Sequence, residues 1–202
     1  MKHTFAAGAV AIVATAFAHQ PHTSASWLRS PLDASAQAAE IPSRAEDEPT
    51  AAAALKRGLD AANSNDYATA MVQFRIAAED GNAVADYNIG FMYQNGLGVA
   101  PDYAQAMQFY QLAAARGETS ALNQIGFLYR NGLGVTQDYV QAMHWYRLAA
   151  DKGYAIGQYN VGFLYANGLG VDQSATAARD WMTKAAAQGE VDAQQWLAQH
   201  PQ

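Results

Sequence analysis

The apolar positions of this chain repeat with a period of 36 residues from about residue 82 onward. The apolar segments Ile89–Tyr93, Ile125–Tyr129 and Val161–Tyr165 stand at that step. Within each unit the apolar residues recur at steps of three and four, which is the spacing of one helix face. A period of this size predicts a stacked array of helix pairs that share one continuous core.

The same pattern predicts where the units begin and end. An Ala-rich helix and a helix opened by Asp66 and Tyr67 precede the array, and a single helix follows it. The predicted organisation is a helix pair at 50–81, full units at 82–117, 118–153 and 154–189, and a capping helix with its tail at 190–202.

Glycines recur at two kinds of position in each unit. One lies inside the first helix, where glycine costs about 1 kcal/mol relative to alanine, so its repetition predicts close approach of the second helix: Gly90, Gly126 and Gly162. The other kind lies in the loop between the helices. There the first glycine is expected to end the helix in the left-handed conformation and the second to allow a further tight bend: Gly96 and Gly98, Gly132 and Gly134, Gly168 and Gly170.

Each second helix also has a candidate N-cap. Asp102 precedes the second helix of the first unit, and Gln105 three residues later predicts a capping box. Asp138 and Gln141 repeat that arrangement. In the third unit Ser174 is the cap and no glutamine follows, so we expect that helix to start less firmly.

The repeated positions resemble those of a known family. The second unit has the most complete set: Ala121, Ile125, Gly126, Tyr129, Gly132, Gly134, Val135, Asp138, Tyr139, Ala142, Trp145, Tyr146, Ala149, Ala150 and Gly153. This pattern resembles the Sel-one-like repeat family, a relative of the tetratricopeptide repeat. The third unit departs from it at Gly157, Ala175 and Met182. Residues 53–81 lack the glycine loop and resemble the shorter tetratricopeptide form.

The resemblance implies an all-α fold, a right-handed α/α solenoid of antiparallel helix pairs, and a role in scaffolding or regulating other proteins. It also implies that the first helices line a concave face, into which the residue after each helix glycine points. The candidate partner-binding residues on that face are Tyr87, Phe91, Gln94, Asn123, Phe127, Arg130, Tyr159 and Phe163. We expect this stripe to grip an extended or helical peptide, with Arg130 reading an acidic group or peptide carbonyls. The alternative is that Phe91, Phe127 and Phe163 are core residues between first helices.

The first 49 residues have a different character. Phe5–Phe17 is apolar and uncharged, and Ala16–Ala18 fits a small-x-small cleavage pattern. We expect a signal peptide at 1–18 and a periplasmic or secreted protein, the alternative being an uncleaved anchor. Residues 19–49 are rich in proline and polar residues, which predicts a disordered linker. Within it, Trp27 and Leu28 are either a short docking motif or incidental.

The composition argues against several kinds of partner and site. The chain carries 18 acidic and 12 basic residues, a net charge of -6, which argues against nucleic acid as a partner. It has no cysteine, no paired metal-ligand motif and no nucleotide-binding loop. We therefore expect no cofactor, no membrane partner after signal cleavage, and no enzyme activity.

Two alternatives to a protein or peptide partner remain. Cysteine-rich relatives in the family imply β-lactam binding or hydrolysis, but those members staple each repeat with a cysteine pair. An envelope protein that binds cell wall or polysaccharide would use Trp27, Tyr87 and Tyr159 as sugar-stacking rings.

Overall fold

Antiparallel helix pairs follow one another along the part of the chain that the structure describes. The computed structural model describes residues 50–201, so the predicted signal peptide and linker lie outside the described residues. Within that range it contains nine helices and no strand. They are α1 (Ala51–Asn63), α2 (Tyr67–Glu79), α3 (Ala83–Asn95), α4 (Tyr103–Ala115), α5 (Thr119–Asn131), α6 (Tyr139–Asp151), α7 (Ala155–Asn167), α8 (Ala175–Ala187) and α9 (Val191–Gln199).

Each helix packs on its neighbours in sequence. The pairs are α1 with α2, α3 with α4, α5 with α6, and α7 with α8, and each pair also contacts the next. Helix α9 packs on α8, where Ala193 is fully buried against Met182 and Ala185. The prediction of an all-α solenoid is confirmed. No helix among residues 50–201 has the length and apolar character needed to cross a bilayer.

The glycine inside each first helix allows close packing within its pair, as predicted. A Cβ placed on Gly90 would lie 2.9 Å from the Tyr110 ring, and one on Gly126 would lie 2.7 Å from the Tyr146 ring. Both tyrosines are fully buried. In the third unit a Cβ on Gly162 would lie 3.2 Å from both the backbone oxygen of Ala178 and the Met182 side chain.

The two loop glycines have separate roles. Gly132 ends α5 in the left-handed conformation with φ of 67°, and its equivalents do the same, as predicted. Gly134 also has positive φ, 69°, but a Cβ there would lie 2.7 Å from the backbone carbon of Tyr103. The second loop glycine therefore holds the loop against the start of the preceding second helix. This contact between pairs was not predicted.

The predicted caps are present, but the capping box is wrong. Oδ1 of Asp102 accepts from the backbone N–H groups of Ala104 and Gln105, and Asp138 caps α6 in the same way. The backbone N–H of Asp102 donates to the carbonyl oxygen of Tyr93 at 2.9 Å, so it does not bond the Gln105 side chain. The loop returns to the end of the first helix, and the carbonyl there takes the N–H that a capping box would use. Ser174 accepts one such bond, from Ala177.

Candidate interaction surface

The eight candidate residues lie on α3, α5 and α7, and we call the surface that they form the first-helix face. Two of them are buried: Tyr87 is 5% exposed and Asn123 is 7% exposed. The other six are half-buried: Phe91, Gln94, Phe127, Arg130, Tyr159 and Phe163. The three phenylalanine rings are therefore neither fully covered nor fully open to solvent. Because Tyr87 is buried, its ring has no open face on which a sugar could stack, as the polysaccharide alternative requires.

The buried members connect successive first helices. Nε2 of Gln124 donates to the hydroxyl of Tyr87 at 3.4 Å, which links α5 to α3. Nδ2 of Asn160 donates to Oδ1 of Asn123 at 2.8 Å, which links α7 to α5. Buried amides that are paired in this way fix the relative position of the helices that carry them. Tyr87 and Asn123 therefore support the first-helix face from beneath.

Arg130 lies between two aromatic rings near the centre of this face. Its guanidinium carbon is 5.8 Å from the centre of the Phe127 ring and 5.5 Å from that of Phe163. Its Nη1 donates to Oδ1 of Asn160 at 3.4 Å. Contacts of this length with aromatic faces attract a cation. Three other pairs make the salt bridges among residues 50–201, and Arg130 makes none: Lys56–Asp60, Arg116–Asp86 and Arg147–Asp151.

The first and second units each have a buried tyrosine behind the first-helix face, and the hydrogen bonding of its hydroxyl differs between them. In the first unit the hydroxyl of Tyr110 donates to Oε1 of Gln94 at 3.0 Å. In the second unit Arg130 stands at the position of Gln94, and the hydroxyl of Tyr146 has no hydrogen-bond partner among the described residues. Burial raises the pKa of Tyr146 to about 12, with the charge of Arg130 acting in the opposite direction. The hydroxyl is therefore protonated at neutral pH and needs an acceptor.

An open cavity of about 890 Å³ continues the face beyond Phe163, between α7, α8 and α9. The rings of Trp196 and His200 stack there with centres 4.2 Å apart. Arg179 lines the cavity and donates to the carbonyl oxygen of His200. The sequence predicted only a capping role for α9, whereas Trp196 of this helix also lines the cavity.

Three groups on or behind this face were not found from the sequence. They are the Tyr146 hydroxyl, the Gln124 and Asn160 amides, and the Trp196 and His200 rings. A comparison of equivalent positions in the three units would have identified the Tyr146 hydroxyl. Gln94, Arg130 and Ala166 are 36 residues apart, and so are Tyr110, Tyr146 and Met182. The polar side chain is lost in the same unit as the tyrosine, which indicates that the two positions touch.

The arrangement suits binding more than bond-breaking chemistry. The face combines half-buried rings, paired amides and one guanidinium. No group of three or more histidine, cysteine, aspartate or glutamate side chains lies close enough to hold a metal within residues 50–201.

Comparison with known proteins agrees with the repeated pattern. A model of the Sel1 repeat matches residues 83–118, 119–154 and 155–190, which together make up more than half of the chain. The chain belongs to the Sel1 repeat family. The resemblance to Sel-one-like repeats is thereby confirmed, with each matched unit beginning one residue later than in the sequence analysis. Sel1 repeats generally mediate protein–protein interaction, and their solenoid is typically a non-catalytic scaffold.

Two solved structures show the same architecture. One is a protective antigen present in uropathogenic Escherichia coli strains, 33% identical, with a TM-score of 0.68 over 72% of this chain and 32% of that one. The other is a Sel1 repeat protein from Oxalobacter formigenes, 29% identical, with a TM-score of 0.68 over 72% of this chain and 59% of that one. The chain thus spans less than two thirds of either structure. No curated protein matches it.

Proposed function

We propose that this chain is a non-catalytic interaction module of the bacterial envelope that binds a segment of another protein on the first-helix face. The observation that carries the proposal is Arg130, a half-buried cation held between Phe127 and Phe163 without a carboxylate partner among the described residues. A partly covered cation of this kind is stabilised when a ligand supplies the opposite charge.

The surroundings of Arg130 favour a peptide segment as the occupant. The phenylalanine rings recur in three successive first helices, so they offer apolar contacts at regular intervals along the face. Arg130 and the end of Gln94 add polar groups between them. Alternating apolar contacts and polar groups of this kind suit an extended or helical peptide, whose side chains also recur at fixed intervals.

The proposed location rests on the leader. The apolar stretch Phe5–Phe17 and the small residues Ala16–Ala18 support export and cleavage after Ala18. Amino-terminal sequencing of the protein purified from cell envelopes tests this: a start at His19 is expected, and a start at Met1 would contradict it.

Affinity capture from native envelopes tests the binding face. The full chain is compared with a Phe127→Ala, Phe163→Ala variant and with Val140→Ala, a control at a side chain that is 62% exposed on α6. We expect the control to retain the partner and the double variant to lose it. If the double variant retains every partner, binding is elsewhere.

A nitrocefin assay tests the absence of catalysis. We expect no turnover by the purified chain. Turnover that a single substitution abolishes would contradict the proposal and favour the β-lactam alternative.

A further inference from the structure

In the second unit a buried hydroxyl without a hydrogen-bond partner lies behind an arginine without a carboxylate partner among the described residues. Tyr146 is fully buried, and its hydroxyl has no partner among residues 50–201. In the first unit the equivalent hydroxyl, that of Tyr110, donates to Gln94. In the second unit Arg130 occupies that position, and a guanidinium offers donors only. The second unit therefore lacks an acceptor that the first unit supplies itself.

The third unit provides an internal control. Met182 replaces the tyrosine, and Ala166 replaces the glutamine or arginine. Neither side chain has a polar group that needs a partner. An arginine in front of a tyrosine hydroxyl without a partner is thus found in the second unit alone among the three described units, and it does not follow from the repeat pattern itself.

We propose that Arg130 and Tyr146 form a carboxylate-binding site that takes an acidic side chain of the partner segment. One carboxylate oxygen accepts from the guanidinium and the other from the hydroxyl, so both donors are satisfied and the charge is neutralised. A neutral carbonyl would satisfy a donor but leave the charge. This assignment rests on the proposed binding of a partner on the first-helix face.

The side chains around the site favour such a ligand. Phe127 and Phe163 flank the guanidinium and lower the polarity of its surroundings, which strengthens a charged hydrogen bond there. Among residues 50–201 the side chain of Arg130 donates one hydrogen bond, the long 3.4 Å bond to Oδ1 of Asn160, so a carboxylate has one weak bond to displace when it draws the guanidinium aside. Because the Tyr146 hydroxyl is covered, the carboxylate reaches it as the guanidinium turns aside.

The acidic cluster that precedes α1 cannot supply this carboxylate. The acidic cluster Glu46–Glu48 ends two residues before Thr50, the cap of α1. Four extended residues reach about 14 Å. Arg130 lies at the far end of α5, two first helices along the array, and a 13-residue helix alone spans about 20 Å. The cluster is therefore too close to α1 to occupy the site.

Side-chain NMR of the full-length chain with ¹⁵N-labelled arginine tests the site. The probes are propionate, which has the end group of an acidic side chain, its neutral isostere propionamide, N-acetylalanine as a peptide C-terminus, and inorganic phosphate. Ionic strength is held constant with chloride. We expect propionate to shift the Arg130 Nε–Hε signal saturably, with half-saturation at about 1–10 mM, an affinity that one or two charge-assisted bonds can give.

Three variants provide controls. Arg130→Gln recreates the Gln94 arrangement, so it should fold with an unchanged or higher Tm. This variant lacks the Arg130 Nε–Hε signal, so binding is followed by the backbone amide signals of α5. Those signals should no longer respond to propionate. Tyr146→Phe should weaken binding by about tenfold, the effect expected for one hydrogen bond to a charged group. Phe127→Ala leaves both donors in place and separates their effect from that of the ring.

Each contrary result has a defined meaning. No saturable shift, or an equal response to propionamide, overturns the carboxylate site. A tighter response to N-acetylalanine or phosphate overturns the choice of an acidic side chain. If neutralising Asp33 and Glu40 in the full chain raises propionate affinity many-fold, the occupant is this chain's own amino-terminal segment.

The outcomes also separate this inference from the proposed function. If the Arg130 signal does not respond while the Phe127→Ala, Phe163→Ala variant loses its partner, only the carboxylate site fails. If propionate binds while that variant keeps every partner, the binding face is wrong.

Discussion

The second and third units have the same backbone and differ in what they offer to a ligand. Both have helices of 13 residues, a left-handed glycine after the first helix and a capped second helix. Yet Arg130 and Tyr146 of the second unit are replaced by Ala166 and Met182 in the third. The residues that specify the fold are repeated, whereas the residues that carry binding chemistry change between units.

The largest effect should come from a glycine that both units need. In Gly134→Ala the new Cβ would meet the Tyr103 backbone at 2.7 Å, with φ at 69°. We expect a loss of about 3 kcal/mol in the free energy of unfolding, from overpacking and left-handed strain together. Gly170→Ala in the third unit should cost as much, because Tyr139 crowds it in the same way.

Gly153→Ala is the matched control for those two variants. Its φ is also positive, 87°, but nothing lies within 4 Å of a Cβ there. We expect a loss of about 1 kcal/mol from backbone strain alone. Urea unfolding measures all three, and equal losses at Gly134 and Gly153 would show that the contact between pairs does not stabilise the array.

A smaller effect is expected where a unit departs from the pattern with a buried charge. Asp86 is 1% exposed and pairs with Arg116, while the second unit has Leu122 and Lys152 at these positions. Arg116→Ala should cost about 2 kcal/mol at neutral pH, less than a fully buried pair because Arg116 is partly exposed. The double variant Asp86→Leu, Arg116→Lys, which copies the second unit, should recover most of the loss.

The same pair predicts a pH dependence. Burial raises the pKa of Asp86, and the bond and charge of Arg116 act against that rise. A raised folded-state pKa means that stability from this group is present below the unfolded pKa and is lost as pH rises through the folded value. The deficit of Arg116→Ala should therefore be larger at about pH 7 than at about pH 4. A constant deficit in urea unfolding would contradict the pairing.

Next, the helix glycines should respond differently in the two units. Gly126→Ala forces a Cβ to 2.7 Å from the rigid Tyr146 ring. In Gly162→Ala the nearest atoms, the backbone oxygen of Ala178 and the Met182 side chain, are both 3.2 Å away. Replacing a helical glycine gains about 1 kcal/mol in propensity, which overpacking should outweigh only at Gly126. We expect a net loss of about 1–2 kcal/mol at Gly126 and little change at Gly162. Equal losses of stability for the two variants in thermal unfolding would contradict this prediction.

The smallest effect concerns the two tyrosine hydroxyls. Tyr110→Phe breaks a bond to Gln94 and should cost about 1 kcal/mol. Tyr146→Phe removes a donor without a partner, so stability should stay the same or rise slightly. If Tyr146→Phe destabilises as much as Tyr110→Phe, the Tyr146 hydroxyl has an acceptor after all.

The repeated part of the fold was predictable because each inference could be made three times. Helix glycines, left-handed loop glycines and the Asp102 and Asp138 caps all follow from local sequence. The capping box failed because the loop brings Tyr93 to the same N–H group, which is a contact outside the local sequence. The contact at Gly134 was missed for a similar reason, since it joins two different units.

The candidate site was less predictable because its geometry depends on neighbouring units. Tyr87 and Asn123 lie one turn before the phenylalanines, and helical spacing alone places them on the same face. In the structure they are buried against the next first helix, where Gln124 and Asn160 donate hydrogen bonds to them. The exposure of side chains on this face depends on how neighbouring units stack, and the sequence of a single unit does not specify that.

Moving the site to another unit tests the central claim most directly. Gln94→Arg would give the first unit a guanidinium beside Tyr110, between Phe91 and Phe127, and would remove the acceptor of the Tyr110 hydroxyl. Propionate titration followed by arginine side-chain NMR should then show two saturable sites, at residue 94 and at Arg130, where the unaltered chain shows one. Saturation at neither residue, or at Arg130 alone, would contradict the claim that an arginine beside a buried tyrosine makes the site.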